Sequence, residues 1–371
     1  MSDKTRSTGG EEQDPSFGQV VMEDLRGTRW DRYGVELRQL YYFYLDDERR
    51  AELASMGRIR RAFTVLFWIL KSLLMKLSPA RRVLLLLALL LAAAGWERCT
   101  IGSSFQVNFD FRLWGFILLL IVLMLELRDK LLARDEIAVA RQVQLALLPS
   151  RHPEIPGWSV WSVSRPANDV GGDLVDYIEL DGFRHGVVLG DVAGKGLGAA
   201  LLTAKLQATL RALVPDAASL DELGGRANQI IYRDGIDNRY ATLFFAELEH
   251  DSGHMRYLNA GHNPAYVIRA DGAEKLGASS FPLGMLEEAC YEEGGVDLAP
   301  GDLLLVYSDG LTEAANADDE EFGNERLERL LPELRNRPPA GVGAHLLAHV
   351  DRFLGDARLT DDMSIAVVVK N

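Results

Sequence analysis

Three acids bracket a short apolar run between Pro166 and Leu202, and that pattern constrains the chain more than any other. Asp173 and Asp176 precede Gly186-Val187-Val188-Leu189, and Asp191 follows it. Gly171-Gly172 stands ahead of the first acid, and a glycine-rich turn leads from the last into a small-residue helix. Acids placed at strand ends and freed by glycines gather hard oxygen donors around a divalent cation. Ser308-Asp309-Gly310 and Asp361-Asp362-Met363 repeat the theme. Each alone reads as a favoured Asp-Gly turn or a polar loop. As a set they say more, because Asp191 and Asp309 follow apolar strands and Asp361 precedes one.

Two carboxylates ~5 Å apart repel by roughly 3 kcal/mol at an effective dielectric near ~20. Several acids meeting at one sheet rim therefore need cations to stay ionised together. No His or Cys motif accompanies them, which favours Mg²⁺ or Mn²⁺ over Zn²⁺. Gly190 to Lys195 is not a P-loop, since its spacing is one residue short and Gly196 stands where Ser or Thr belongs. Lys195 reads as a solvated turn residue. His262, just past a strand end, reads as a structural hydrogen-bonding group.

The rest of the chain sorts by composition. With 371 residues, 48% hydrophobic and 25% charged, a sizeable core is available. A net charge of -14 argues against a nucleic-acid partner. Cys99 and Cys290 are too few for a disulfide framework. Residues 1–28 read as a polar tail and 29–80 as a helical cytoplasmic segment with an aromatic knot at Tyr41 to Tyr44. Residues 81–128 hold two uncharged stretches, Val83 to Trp96 and Leu113 to Leu125, expected to form a membrane hairpin with Glu97 to Arg112 outside. Arg81, Arg82, Arg128, Lys130 and Arg134 put both ends in the cytoplasm. The stretches are short, about 21 Å against a ~30 Å core, so an interfacial pair or buried soluble helices are the alternatives. The localisation expected is a multi-pass protein of the bacterial cell membrane, its catalytic domain cytoplasmic.

Residues 129–149 continue as a linker helix, with Leu132, Val139, Val143 and Leu147 near one face, fit either for homodimerisation or for packing on its own domain. Pro149, Pro153 and Pro156 mark a boundary, and 150–371 forms the last domain. Its strands and helices are grouped rather than alternating, which favours an antiparallel α+β layout.

From about Ala140 to Lys370 the chain resembles the PPM class of metal-dependent serine/threonine phosphatases, in its bacterial SpoIIE/RsbU-like branch. The carrying strings are LLPS (Leu147 to Ser150), PANDVGGDLVDY (Pro166 to Tyr177), GDVAGKGLGAALL (Gly190 to Leu202), ATLFFAELE (Ala241 to Glu249) and NAGHNP (Asn259 to Pro264). FPLG (Phe281 to Gly284), YSDGLTEA (Tyr307 to Ala314) and DDMSIAVVV (Asp361 to Val369) complete the family's order. Ala193 stands where the pattern often has Ser.

The resemblance implies a two-sheet β-sandwich flanked by helices, with two Mn²⁺ or Mg²⁺ ions at one end. It implies that Asp191 bridges both ions and that the Val192 carbonyl binds one. Asp309 and Asp361, rather than Asp362, would bind one ion, and Asp173 would help hold the other. Asp191 and Asp173 are thus the expected catalytic acids, with Asp176 behind them holding waters. The substrate implied is a phosphoserine or phosphothreonine of an anti-sigma-factor antagonist protein. The rival expectation is a non-catalytic membrane scaffold that binds a partner through a phosphatase-like domain.

Overall fold

The computed structural model describes residues 56–94, 96–101, 105–149, 151–234 and 239–371. The expected tail over 1–28, the aromatic knot and the first part of the 29–80 segment lie outside the described residues. The chain divides into two compact units between Asp129 and Lys130.

In the first unit, helix α1 (Arg58–Lys76) precedes α2 (Pro79–Ala94). The expected outer loop is instead an antiparallel hairpin, β1 (Trp96–Ile101) with β2 (Phe105–Asp110), which satisfies its own backbone groups. Helix α3 (Phe111–Leu147) follows, so the second apolar stretch and the linker are one continuous helix. Small residues bring α2 and α3 together: a Cβ on Gly115 would lie 2.7 Å from the Ala88 carbonyl oxygen. At the other end of this contact Arg81 pairs with Glu126 and Asp129. A helical hairpin is therefore present. Among the described residues, the one helical stretch long and apolar enough to cross a membrane is Leu197–Asp216, and 56% of that stretch is buried inside the second unit. It is a core helix.

The second unit holds two five-stranded antiparallel sheets. One runs in the order β10 (Glu293–Asp297), β7 (His254–Ala260), β6 (Ala241–Glu249), β5 (Arg184–Val192), β4 (Leu174–Asp181). The other runs β3 (Trp158–Arg165), β12 (Met363–Lys370), β11 (Leu303–Tyr307), β8 (Ala265–Ile268), β9 (Ala273–Leu276). Strand periodicity builds the layers, because successive side chains point to opposite faces. In β11, Leu304 and Val306 meet the other sheet, while Leu303, Leu305 and Tyr307 face outward. In β5, Val187 and Leu189 point inward and Val188 and Val192 outward.

Both outward faces are apolar, so each sheet needs a cover. Helices α4 (Leu197–Leu213) and α5 (Leu220–Arg233) cover the first, with Leu202, Leu206, Leu210 and Leu223 buried against it. The second is covered by α7 (Gly323–Leu334) and α8 (Pro339–Leu354), which follow the single-turn α6 (Asp309–Thr312). The glycines Gly224-Gly225 do not break α5: Gly224 fits beneath the Tyr291 ring, where a Cβ would approach to 2.8 Å. The sandwich expected from the resemblance is the one observed.

Candidate active site

All the acids singled out, except Asp176, meet at one rim of the sandwich. Antiparallel pairing explains the convergence: β5 and β11 end at this rim, and β4 and β12 begin there. Asp191 is the penultimate residue of β5, Asp309 opens α6 directly after β11, and Asp173 and Asp361-Asp362 lead into β4 and β12. Asp173 is only 4% exposed, whereas Asp191, Asp309 and Asp361 are partly open to solvent.

Their protonation reports the crowding. Burial raises the Asp191 carboxyl to about 7, and the charges of Asp309, Asp361 and Asp362 add to the shift. Burial, then the charge of Asp191, pushes Asp173 well above the usual carboxylate range, and the two side chains are in hydrogen-bond contact. Asp309 is raised by burial and by Asp361. These are the signs of acids held together without enough positive charge.

The adjacent acids Asp361 and Asp362 do different work. Both oxygens of Asp362 accept backbone N–H groups, from Ala167 at 2.7 Å and Gly172 at 2.6 Å. That carboxylate lashes the loop before β4 to the start of β12. Asp361 instead faces Lys195, whose Nζ lies 2.8 Å from its Oδ2. Lys195 also donates to the Thr360 carbonyl at 2.7 Å, so it is the exposed turn residue expected, with its ammonium group anchored beside Asp361. Asp176 also departs from expectation. It points to the helix side of β4, where Arg211 grips it through two bonds of 2.7 Å. It therefore has no free oxygen to hold waters at the rim.

Glycines keep the rim open at two points. A Cβ on Gly172 would sit 3.0 Å from the Val192 carbonyl oxygen and 3.3 Å from Asp191 Oδ1, so those two donors face one spot. A Cβ on Gly310 would come within 2.1 Å of the Asp362 carbonyl oxygen. Behind Asp191, Thr242 Oγ1 accepts the Asp191 N–H at 3.2 Å and lies 2.8 Å from His262 Nδ1. Burial lowers His262 to about 4, so it is a neutral support for Thr242. That agrees with its structural reading.

The donor set fits divalent cations. Asp173 Oδ2 accepts from Ser308 Oγ at 2.8 Å, but Asp173 Oδ1 is buried with no hydrogen-bond partner. Buried polar atoms are normally satisfied, and a metal satisfies a carboxylate oxygen. Every candidate ligand at the rim is a hard oxygen donor, as Mg²⁺ and Mn²⁺ prefer. Among the described residues, no three Asp, Glu, His or Cys side chains form a closed cage by themselves. The Val192 carbonyl and water would have to complete any coordination, as is usual for Mg²⁺.

The linker helix also reaches this rim, which the sequence pattern did not show. Gln144 Nε2 donates to the Gly171 carbonyl at 2.7 Å, and the Gly171 N–H donates back to Gln144 Oε1 at 3.0 Å. Gln207 on α4 donates to the Leu147 carbonyl at 2.8 Å. Gly171 is two residues from Asp173.

A helix-flanked double sheet with carboxylates from both sheets converging at one end defines the PP2C-type phosphatase class. The chain belongs to the Stage II sporulation protein E (SpoIIE) family, whose profile matches residues 181–370. That span includes Asp191, Val192, Asp309 and Asp361, and Asp173 precedes it. The chain is 26% identical to Protein IcfG of Synechocystis, over 64% of this chain and 42% of that protein. It is 26% identical to phosphoserine phosphatase RsbU of Bacillus subtilis, over 48% of this chain and 54% of that protein. It thus spans about half the length of these curated relatives. The SiaA-PP2C domain of Pseudomonas aeruginosa superposes with a TM-score of 0.58 at 20% identity, covering 66% of this chain and 99% of that domain. This likeness speaks for the fold.

The raised acids carry a stability consequence. A carboxyl in the unfolded chain releases its proton near ~3.9, whereas Asp191 in the metal-free fold keeps it to about 7. Between those values the folded form binds the extra proton, so its stability falls as pH rises. The melting temperature of metal-free protein should drop between about pH 5 and about pH 7.5, and Asp191→Asn should flatten that slope. A wild-type melting temperature that stayed level over this range would show that the acids do not repel.

Proposed function

We propose that this protein is a metal-dependent phosphoprotein phosphatase acting on phosphoserine or phosphothreonine. The observation that carries the reading is the convergence of Asp173, Asp191, Asp309 and Asp361 around an unsatisfied buried oxygen, Asp173 Oδ1. The name of the relative RsbU, a phosphoserine phosphatase, supports it. Asp173, Asp191, Asp309, Asp361 and the Val192 carbonyl are the groups that would hold two Mn²⁺ or Mg²⁺ ions. When bound, such a pair supplies a water of lowered pKa and neutralises charge on the phosphoryl group.

The chain's own residues set up that chemistry. Burial and neighbouring charge hold the Asp191 and Asp173 carboxyls above the usual range, so both must be deprotonated before they can act as anionic ligands. Thr242 and His262 fix the backbone that aims Asp191, and Asp362 fixes the loop that aims Asp173. The Ser308 hydroxyl at the rim is fully buried and committed to Asp173 and the Asp362 carbonyl, which accords with direct attack by water rather than by a side chain. With Mn²⁺ and p-nitrophenyl phosphate, Asp191→Asn should lose at least about 100-fold in rate. Wild-type activity in that variant would dismiss the reading. A non-catalytic scaffold gains nothing from assembling acids that repel, so the enzyme reading is favoured.

The substrate we propose is a phosphorylated anti-sigma-factor antagonist, on the family's pattern. The α2–α3 hairpin is proposed to attach the protein to the bacterial membrane, with the phosphatase domain cytoplasmic. Leu86, Leu90, Trp114, Phe116, Leu120 and Leu123 are exposed on it, which is costly in water. Leu132, Val139 and Val143 are exposed farther along α3, a stripe suited to a second copy of the chain. The full chain should stay with membranes in alkaline carbonate and, once solubilised, sediment as a dimer that Val139→Glu dissociates. Release by carbonate would remove the anchor, and a monomeric wild type would remove the dimer.

The helix α3 is further proposed to govern the rim through Gln144. Its amide holds both backbone groups of Gly171, and so the path of the chain into Asp173. Gln144→Ala should weaken Mn²⁺ binding or turnover by about tenfold while the melting temperature of the domain stays close to wild type. Unaltered Mn²⁺ titration and turnover would show that the clamp is merely structural.

A further inference from the structure

An arginine beside the rim has a buried donor with no hydrogen-bond partner among the described residues. Arg239 immediately precedes Tyr240, whose carbonyl accepts the Ala193 N–H at 2.9 Å, and β6 then pairs Ala241 with Val192. Arg239 therefore lies across from the glycine turn that leaves Asp191 and Val192. Its guanidinium rests on that turn and on the start of α4. A Cβ on Gly198 would stand 2.7 Å from Nη2 and 2.8 Å from Nη1, and one on Gly194 would stand 3.6 Å from Nη1. The two glycines make the cradle.

Arg239 Nη1 is buried and has no hydrogen-bond partner. Leaving a buried donor of a charged group unpaired is costly. Acids are not scarce here, in a chain of net charge -14. Lys195, on the same turn, does take one, Asp361. Among the described residues none of them pairs with Arg239 Nη1, which leaves that donor for a partner from outside the chain. A guanidinium fork matches the oxygens of a phosphate or a carboxylate. Leu197 and Leu201 are exposed on the same first turns of α4, which suits contact with a polypeptide rather than with a free ion.

We infer that Arg239 is a substrate-positioning residue that holds an oxyanion of the bound phosphoprotein, an assignment that rests on the phosphatase reading. The oxyanion has two possible sources, the phosphoryl group itself or a carboxylate flanking the phosphoserine.

The test uses the full chain and its Arg239→Ala, Arg239→Lys and Gly198→Ala variants. Each is assayed with Mn²⁺ on p-nitrophenyl phosphate, on a phosphoserine peptide with neutral flanks, and on one with acidic flanks. Binding of the same fluorescent peptides is measured by anisotropy in an Asp309→Asn background, independently of turnover. Arg239→Ala should raise KM and weaken peptide binding by about 10- to 100-fold, with partial restoration by Arg239→Lys. Gly198→Ala should do the same, since its methyl group displaces the guanidinium while alanine favours the helix.

Loss on all three substrates assigns the phosphoryl group, and loss confined to the acidic peptide assigns the carboxylate. Equal loss on both peptides with the aryl phosphate spared would put the guanidinium on the peptide chain and overturn the assignment. So would unchanged KM and binding in Arg239→Ala and Gly198→Ala, or a loss that tracks a lowered melting temperature and is not restored by lysine. An inactive wild type would fail the phosphatase reading, while the anisotropy arm would still judge Arg239 by itself.

Discussion

Negative charge concentrated at one rim is the constraint from which the rest of this domain can be understood. The acids come from both sheets, and Asp173, Asp191 and Asp309 are each raised because burial opposes their ionisation. A fold that serves only stability would disperse such groups. Here the strands deliver them to one end, and the apolar layers behind supply the rigidity that repulsion would otherwise consume. The three cores, one between the sheets and one under each helical cover, are the counterweight.

Much of this was legible beforehand. Asp191 and Asp309 stood out because each follows an uninterrupted apolar run, and such runs are strands buried on both faces. Strand β4 was harder to see. Its acids suggest a loop, yet Asp176 tolerates burial because Arg211, 35 residues away, neutralises it. The short edge strands β9 and β10 carry weak signals, the latter with Gly294-Gly295 inside it. The choice between Asp361 and Asp362 depended on which carboxylate the loop at 167–172 would claim, a contact across almost the whole domain sequence. Neither Lys195 nor Arg239 has a local pattern that forecasts its setting. Both are defined by neighbours that only the fold supplies.

The linker helix shows how a connection to the rim is made from ordinary chemistry. A glutamine side chain can offer one donor and one acceptor to a single residue's backbone. Gln144 does so at Gly171, beside a glycine pair with little stiffness of its own. The missing side chain that lets Gly172 leave room for the Val192 carbonyl also leaves this loop dependent on the contacts that hold it.

The Asp362 carboxylate has a mechanical implication. By stapling the lead-in of β4 to the lead-in of β12, it ties one sheet to the other at the end where the acids gather. Sliding of one layer across its neighbour is therefore opposed at that knot. The distant end has a tie of its own, from the Trp158 ring N–H to the Glu249 carbonyl at 2.7 Å, so the two layers are pinned at both ends of the sandwich.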